Sequence, residues 1–210
     1  MLKALMNNFR KPSGVIGSLF CWAMNVGHRP FVRDVFKHIT ITPGMRTLDI
    51  GCGGGDVLHM MLERGADATG VDYSATSVSK TLSRVAKYVE CGKAKVYCAS
   101  VQALPDGDKS FDLITAFATV YFWPEIENSF KEVFRALRPG GRFIAAQKAW
   151  KEGDEINCPV FFLQNLEMTL YSPDELESVL LSAGFATVGT IRAQNNKWIA
   201  VYGEKKPEAE

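Results

Sequence analysis

The chain of 210 residues lacks the features that mark several common classes of protein. Its 24 lysines and arginines are balanced by 23 acidic residues, so it has no basic excess of the kind that nucleic-acid-binding domains carry. No Gly-Lys-Ser/Thr occurs, which excludes a P-loop. The apolar run at residues 14–24 is much shorter than the roughly 20 residues that span a bilayer. We therefore expect no nucleic-acid partner and no membrane partner, and the sequence leaves the oligomeric state open.

Cysteine is scarce and scattered, at positions 21, 52, 91, 98 and 158. These residues form no Cys-x-x-Cys pair and no Cys/His arrangement with zinc spacing, so we predict no metal site. An odd, dispersed set of cysteines is typical of a reducing compartment, which predicts a cytoplasmic protein. Hydrophobic residues make up 47% of the chain and charged residues 22%, as in an ordinary globular domain.

The most informative segment present is TLDIGCGGGD at residues 47–56. An apolar run that ends in four glycines over five positions predicts a buried strand, a tight loop and then a helix. Glycine has no Cβ and accepts positive φ, so the main chain at Gly51, Gly53 and Gly55 can approach a ligand closely. The loop therefore predicts a site that binds a nucleoside through its backbone.

Asp72 follows Gly51 by 21 positions and ends the next predicted strand. In a βαβ unit this spacing brings an acid beside the glycine loop, where its carboxylate can accept hydrogen bonds from both hydroxyls of a ribose. Glycine loop and acid together predict a nucleoside-binding βαβ unit.

The position that would carry the third glycine or alanine of a dinucleotide fingerprint is Asp56. A carboxylate near a helix N-terminus would repel a pyrophosphate. This disfavours an NAD(P)-dependent oxidoreductase, which stays as one alternative; the other is a non-catalytic, cofactor-binding regulatory module.

Five ordered segments resemble the class I, Rossmann-like S-adenosylmethionine-dependent methyltransferases. Residues 49–55 resemble the family's first motif, and residues 71–74 resemble the acidic end of its second strand. The other three segments are residues 99–105, 110–114 and 137–143. The resemblance implies transfer of a methyl group from S-adenosylmethionine to a small-molecule acceptor. One departure is Ser100, where the family commonly has an aspartate that contacts the adenine amino group.

Hydrophobic periodicity predicts alternating strands and helices, and hence an α/β three-layer sandwich. Strands are predicted at 45–50, 68–72, 94–99, 111–117 and 142–148, and helices at 55–64, 75–90, 125–137 and 173–183. Two extended runs follow, at 187–192 and 198–202, with Asn195-Asn196 as the turn between them. The resemblance implies a seven-stranded, mostly parallel sheet with this C-terminal antiparallel hairpin, whose last strand lies beside the fifth.

We expect residues 1–40 to form an N-terminal helical cap of two helices, with a break near residues 27–30. Residues 41–204 are predicted to form the S-adenosylmethionine-binding domain, and residues 205–210 a frayed tail. Within the domain, residues 149–171 exceed a minimal connection and predict a lid-like insertion. The alternative for this insertion is an edge cap without ligand contact.

The resemblance and the predicted strand ends together imply a set of cofactor-binding residues. Cys52 belongs to it for its place in the loop and not for its thiol, and Tyr73 is equally well explained as a half-buried packing residue. The set is Asp49, Gly51, Cys52, Gly53, Gly55, Asp72, Tyr73, Ser100, Val101, Ala116 and Phe117.

Methyl transfer from a sulfonium needs alignment and exclusion of water more than an acid or base, so no catalytic triad is expected. Tyr121 follows the fourth strand and is the best candidate to contact an acceptor or the sulfonium, because aromatic faces attract cations. His28 is a candidate base with a pKa near neutrality. Packing for Tyr121 and a capping or core role for His28 are the alternatives.

Overall fold

The computed structural model describes residues 11–105 and 107–208. Within these residues, seven strands form one sheet and two more form a separate hairpin. The strands are β1 Arg46–Ile50, β2 Asp67–Asp72, β3 Ala94–Cys98, β4 Phe111–Phe117, β5 Leu137–Gln147, β6 Trp150–Glu152, β7 Glu155–Asn157, β8 Thr187–Arg192 and β9 Ile199–Glu204.

The large sheet has the order β3-β2-β1-β4-β5-β9-β8. The first five strands pair in parallel, and β9 pairs antiparallel with both β5 and β8. Ile50 at the end of β1 aligns with Val71 on β2 and Ala116 on β4, so these three strands end at one edge of the sheet. The predicted fold class, including a terminal hairpin inserted beside the fifth strand, is confirmed.

The helices of the described residues are α1 Gly14–Val35, α2 Asp56–Glu63, α3 Ala75–Arg84, α4 Ala86–Glu90, α5 Ile126–Ala136, α6 Val160–Asn165 and α7 Pro173–Ala183. Short 3₁₀ turns occupy Phe36–His38 and Val120–Phe122. The helix predicted at 75–90 is divided at Val85. Ser172 and Glu175 form a capping box at the start of α7, because each side chain accepts a backbone N–H of the other residue.

The predicted break near residues 27–30 is wrong, since α1 continues through Pro30 to Val35. Proline inside a helix costs about 3 kcal/mol, so tertiary packing must offset this loss. The rings of Phe31 and Phe36 each lie 5.8 Å from the ring of Phe117 at the end of β4. Burial of these rings holds the end of α1 and the 3₁₀ turn that follows it against the sheet. The first part of the predicted cap, residues 1–10, lies outside the described residues.

Helices cover both faces of the sheet. On one face, α1 and α2 bury Phe31, Leu58 and Met61. On the other face, α5 and α7 bury Phe130 and Leu176 together with side chains of β4 and β5. This arrangement is the predicted three-layer sandwich, and it leaves the carboxyl ends of the parallel strands free for a site.

The insertion at residues 149–171 contains the hairpin of β6 and β7, followed by α6. Trp150 is fully buried, and Glu152 accepts two hydrogen bonds from the Arg192 guanidinium at 3.0 and 2.8 Å. Lys151 Nζ lies 2.6 Å from a carboxylate oxygen of Glu175. The insertion is therefore attached to both α7 and the C-terminal hairpin.

Beyond β9, the Lys205 backbone N–H donates to the Gly141 carbonyl at 2.9 Å. Its ammonium group donates to the carbonyls of Phe134 and Leu137, each at 2.8 Å. Lys205, the first residue of the tail that was predicted to be frayed, is therefore hydrogen-bonded to β5 and α5. In the part of the chain that the structure describes, no helix is both long enough and apolar enough to cross a membrane.

Candidate functional site

The glycine loop connects β1 to α2 in the conformation that its sequence predicts. Gly51, Gly53 and Gly55 have φ values of +75°, +54° and +81°. The Gly51 N–H donates to the Val71 carbonyl at 2.8 Å, and Thr81 Oγ1 donates to the Gly53 carbonyl at 2.9 Å. Hydrogen bonds with strand β2 and helix α3 therefore hold the backbone of the loop in this conformation.

The three glycines differ in what surrounds them. A Cβ at Gly51 would lie 2.6 Å from Thr119 Oγ1, and a Cβ at Gly55 would lie 3.0 Å from Thr81 Cγ2. At Gly53 the nearest atom to a Cβ would be 3.9 Å away. Gly51 and Gly55 thus permit close packing within the protein, whereas Gly53 presents an open backbone surface to a ligand.

Asp72 lies at the end of β2, beside the loop. Its Oδ2 accepts the Gly53 N–H at 3.0 Å, and its Oδ1 accepts the Ser74 N–H at 2.8 Å. The Ser77 side chain donates a third hydrogen bond to this carboxylate. A carboxylate has about four lone-pair sites, so capacity for a further hydrogen bond remains. Burial raises the pKa of Asp72 above its ordinary value. The residue therefore links the loop to β2 and retains capacity for a ligand.

Asp49 is the penultimate residue of β1, next to the loop, and is fully buried. Burial, and secondarily the charge of Asp72, raise its pKa to about 7, although Thr115 Oγ1 donates a hydrogen bond to it at 2.8 Å. Among the described residues, no lysine or arginine forms an ion pair with either carboxylate. The crevice thus has an excess of negative charge that a cationic ligand group would neutralise.

Asp49 makes stability depend on pH in a predictable direction. Its folded-state pKa lies above the ordinary value of 3.8, so stability falls as the pH rises from about 4 to about 7. Asp49→Asn removes the titrating group. The free energy of unfolding of the variant minus that of the wild type should therefore rise by roughly 1–3 kcal/mol across that interval and then stay constant. Thermal unfolding from pH 5 to 8 measures this, with Asp67→Asn as the surface control; a constant difference would contradict the assignment.

The loop crevice is the cleft between the glycine loop, the end of β4 and α1. Lys11 and Pro12 lie beside it, because Ser74 Oγ donates to the Pro12 carbonyl at 2.6 Å and the Lys11 ammonium lies 5.4 Å from the centre of the Tyr73 ring. Its lining residues include Pro12, His28, Val32, Asp49, Gly51, Cys52, Gly53, Asp72, Tyr73, Phe117, Ala118, Thr119 and Phe122.

A second depression, the edge pocket, adjoins the loop crevice across Asp72 and Tyr73. Its volume is about 240 Å³, and Ser100 and Val101 form its outer wall. Ser100 Oγ accepts the Gln102 N–H at 3.2 Å, so the hydroxyl hydrogen is still available for donation. The predicted ribose-binding and adenine-binding residues therefore lie side by side.

The third space is the insertion cavity, which has a volume of about 430 Å³. It shares His28, Ala118 and Phe122 with the loop crevice. The remaining wall comes mainly from the insertion and from the turn between β8 and β9: Tyr121, Lys148, Ala149, Asn157, Cys158, Pro159, Phe162, Leu166, Met168, Asn196 and Lys197. Its size and mostly apolar wall suit a small organic molecule.

The two predicted catalytic residues both line the insertion cavity. Burial, and secondarily the charge of Lys148, lower the pKa of His28 to about 4, below the near-neutral value expected from sequence. The imidazole is therefore neutral at pH 7 and a weak base, but its unprotonated nitrogen can accept a hydrogen bond. Burial raises the pKa of Tyr121, so its phenol stays protonated and can donate a hydrogen bond.

Two predicted residues lie away from the open surfaces. Ala116 is fully buried in the core, because it points to the face of β4 opposite to that of its neighbour Phe117. The Cys52 thiol lies 3.7 Å from Thr81 Oγ1 and packs against Gly70. Its side chain thus faces the protein, which leaves its backbone to line the crevice.

Sequence reasoning missed several residues that shape the site. Thr119 lies against Gly51, and Lys148 lies between β5 and the insertion. Ala118 has φ +53°, an unusual value for a residue with a Cβ, and lines both the crevice and the cavity. No local motif marks these positions, because each depends on contacts between distant segments.

Asp56 occupies the first turn of α2, where a pyrophosphate would bind in a dinucleotide site. It pairs with Arg84 on α3 and with Arg29 on α1, whose Nε lies 3.2 Å from Asp56 Oδ2. The helix N-terminus is therefore already occupied by a carboxylate with its own cationic partners.

Residues 48–145 match the family model described as a methyltransferase domain. The chain is 36% identical over 105 residues to the ubiquinone biosynthesis O-methyltransferase of Idiomarina loihiensis, covering 48% of this chain and 41% of that protein. It is 26% identical over 177 residues to the O-methyltransferase cnsE of Penicillium expansum, covering 81% and 62%. The chain thus spans less than two thirds of either relative.

Among solved structures, the chain is similar to one described as a complex between the Haloferax volcanii Trm112 methyltransferase activator and the putative methyltransferase. The TM-score is 0.77 at 16% identity, and the alignment covers 98% of this chain and 97% of that chain. At this level of identity the similarity shows the fold.

Proposed function

We propose that the chain carries a class I S-adenosylmethionine-dependent methyltransferase domain and that the protein transfers the methyl group of S-adenosylmethionine to a small-molecule acceptor. The observation that carries this proposal is the pair of buried carboxylates, Asp49 and Asp72, which have no cationic partner in the described residues. They lie at a glycine loop beside an apolar cavity. A ligand with a ribose and a positive charge fits this arrangement.

We infer the following roles for the residues around the loop crevice. Asp72 accepts hydrogen bonds from the two ribose hydroxyls, and the open backbone at Gly53 lies under the ligand. Asp49 compensates the positive charge of the amino-acid portion. The edge pocket, with Tyr73, Ser100 and Val101, takes the adenine ring, and Phe117 borders the methionine portion. The positions of these side chains on adjoining walls support this orientation.

When bound, S-adenosylmethionine supplies a methyl group on a positively charged sulfur, and its in-line transfer leaves neutral S-adenosylhomocysteine. The protein's contribution is to align the acceptor and exclude water, for which good orientation is worth about 7–11 kcal/mol. His28 stands where the crevice and the cavity meet, and its neutral imidazole accepts a hydrogen bond that orients a hydroxyl or amine acceptor. The Tyr121 phenol donates a hydrogen bond to orient the acceptor.

We further infer that the described part of the N-terminal cap, residues 11–40, and the insertion, residues 149–171, cover the site of the domain at residues 41–204. Pro12 and His28 from the cap line the loop crevice. Phe162, Leu166 and Met168 from the insertion line the cavity. These contacts support a lid role for both segments over an edge cap without ligand contact.

Isothermal titration with S-adenosylhomocysteine and with NAD tests the cofactor. We expect binding of S-adenosylhomocysteine and much weaker binding of NAD, because Asp56 occupies the N-terminus of α2. A preference for NAD would overturn the proposal. Transfer of labelled methyl groups to a broad panel of acceptors then distinguishes an enzyme from a regulatory module, for which binding without turnover is expected.

We also infer that the protein resides in the cytoplasm. Four cysteines of the described residues are free, and two of them, Cys91 and Cys98, are exposed. Exposed free thiols persist most readily in a reducing compartment, which supports this location. Treatment of intact cells with a membrane-impermeant maleimide should leave both cysteines unmodified, and their labelling would contradict it.

A further inference from the structure

The two halves of the site differ in the sign of their charge. The loop crevice contains Asp49 and Asp72, which have no cationic partner among the described residues, and Asp56, which is paired with Arg84 and Arg29. Among the described residues that line the insertion cavity there is no acid, but there are two lysines, Lys148 and Lys197. Both are exposed, and neither forms an ion pair within the described part of the chain. The cavity therefore combines an apolar wall with unneutralised positive charge.

The lysines have distinct places around the cavity. Lys148 follows β5 and lies close enough to His28 for its charge to lower the pKa of the imidazole. Lys197 lies in the turn between β8 and β9, next to Asn196. Asn157 Nδ2 donates to the Asn196 carbonyl at 3.4 Å, so this turn contacts the insertion directly. Two polar amides and two ammonium groups thus accompany the apolar wall.

We propose that the insertion cavity binds the methyl acceptor as an apolar organic anion, whose acidic group is held by Lys148 and Lys197. The inference rests on the proposed function, because it assigns the acceptor class of the same site. The ring-sized body of the acceptor packs against Phe122, Leu166 and Met168. The opposite charges of crevice and cavity then separate a cationic donor from an anionic acceptor and disfavour exchange of the two sites.

Two fluorescent probes of the same ring system test the charge preference. The probes are 8-anilinonaphthalene-1-sulfonate, which is an anion, and N-phenyl-1-naphthylamine, which is neutral. Both are titrated into the full chain saturated with S-adenosylhomocysteine. In the variant with Lys148→Met and Lys197→Met, the anionic probe should bind about tenfold or more weakly, since charge-assisted hydrogen bonds are lost. Affinity for the neutral probe should change less than about twofold.

Two further variants locate the effect. Lys151→Met is the matched control, because Lys151 belongs to the insertion that forms part of the cavity wall but pairs with Glu175 and does not line the cavity. It should leave both probe affinities unchanged. Met168→Trp reduces the cavity volume and should weaken both probes. If both probes bind the Met168→Trp protein as they bind the wild type, their site is not the cavity and the proposal fails.

The affinity for S-adenosylhomocysteine separates this proposal from the proposed function. Retained affinity in the double lysine variant, with selective loss of the anionic probe, supports an anionic acceptor. Loss of S-adenosylhomocysteine affinity in that variant would assign the lysines to the donor and overturn the acceptor proposal alone. Equal effects on the two probes would also overturn it. Absence of S-adenosylhomocysteine binding in the wild type would instead reject the proposed function.

Discussion

Gly51→Ala should lower the affinity for S-adenosylhomocysteine by about a hundredfold or more. The new Cβ would lie 2.6 Å from Thr119 Oγ1, a distance that real Cβ atoms essentially never show, so the loop or the residues after β4 must move. Both segments line the loop crevice, and a displacement of either removes the surface on which the ligand lies. Isothermal titration measures the affinity, and thermal unfolding shows whether the variant is folded.

Gly92→Ala is a matched control for the backbone effect. Gly92 has φ +74°, nearly the same as the +75° of Gly51, but no atom lies within 4 Å of its added Cβ. Both variants carry a similar cost for a side chain at positive φ, of about 1 kcal/mol. Only Gly51→Ala should lose S-adenosylhomocysteine binding. Wild-type affinity in Gly51→Ala would mean that the loop does not support the ligand.

Asp72→Ala should weaken S-adenosylhomocysteine binding by at least about tenfold, because charge-assisted hydrogen bonds are worth roughly 1.5–3 kcal/mol. The residue also accepts the Gly53 N–H, so its loss loosens the loop as well as the contact with the ribose. Asp67→Ala, at the opposite end of β2, removes an exposed partner of Lys93 and should leave the affinity unchanged. Titration of both variants measures the difference.

A thermodynamic cycle that combines Asp72→Ala with the 2′-deoxy analogue of S-adenosylhomocysteine separates the contact of Asp72 with the ribose from its contact with the loop. In the wild type, removal of the hydroxyl should weaken binding. In Asp72→Ala it should have almost no further effect, because the group that accepted its hydrogen bond is gone. If the deoxy analogue loses the same affinity in both proteins, Asp72 does not bind the ribose, whatever the total loss caused by Asp72→Ala.

The core of the fold could be predicted from sequence because its local signals agree. Strand β4 has the predicted bounds 111–117 because it is a mostly apolar run that is buried along its length. Helix α7 has the predicted bounds 173–183, and its start is marked by proline at N1 and a capping box. The break expected at Pro30 failed because the local cost of a proline is smaller than the gain from burial of Phe31 and Phe36 on Phe117. That contact joins segments about 80 residues apart in sequence, and no local pattern reveals it.

The site shows the same division between local and distant signals. The glycine loop and Asp72 follow from motif spacing, because one βαβ unit contains both. Lys148 and Thr119 do not, because they enter the site through β5 and through the turn after β4. The sequence of the insertion likewise reveals its apolar composition but not the lysines that accompany it, one of which comes from the turn between β8 and β9.

A crystal structure of the protein grown with saturating S-adenosylhomocysteine tests the central assignment most directly. We expect density in the loop crevice and edge pocket, with both ribose hydroxyls within hydrogen-bond distance of the Asp72 carboxylate and the adenine beside Ser100. The homocysteine amino group should lie on the side of Asp49, and its sulfur should face the insertion cavity. A crevice without ligand density under these conditions, or a ribose bound away from Asp72, would contradict the assignment.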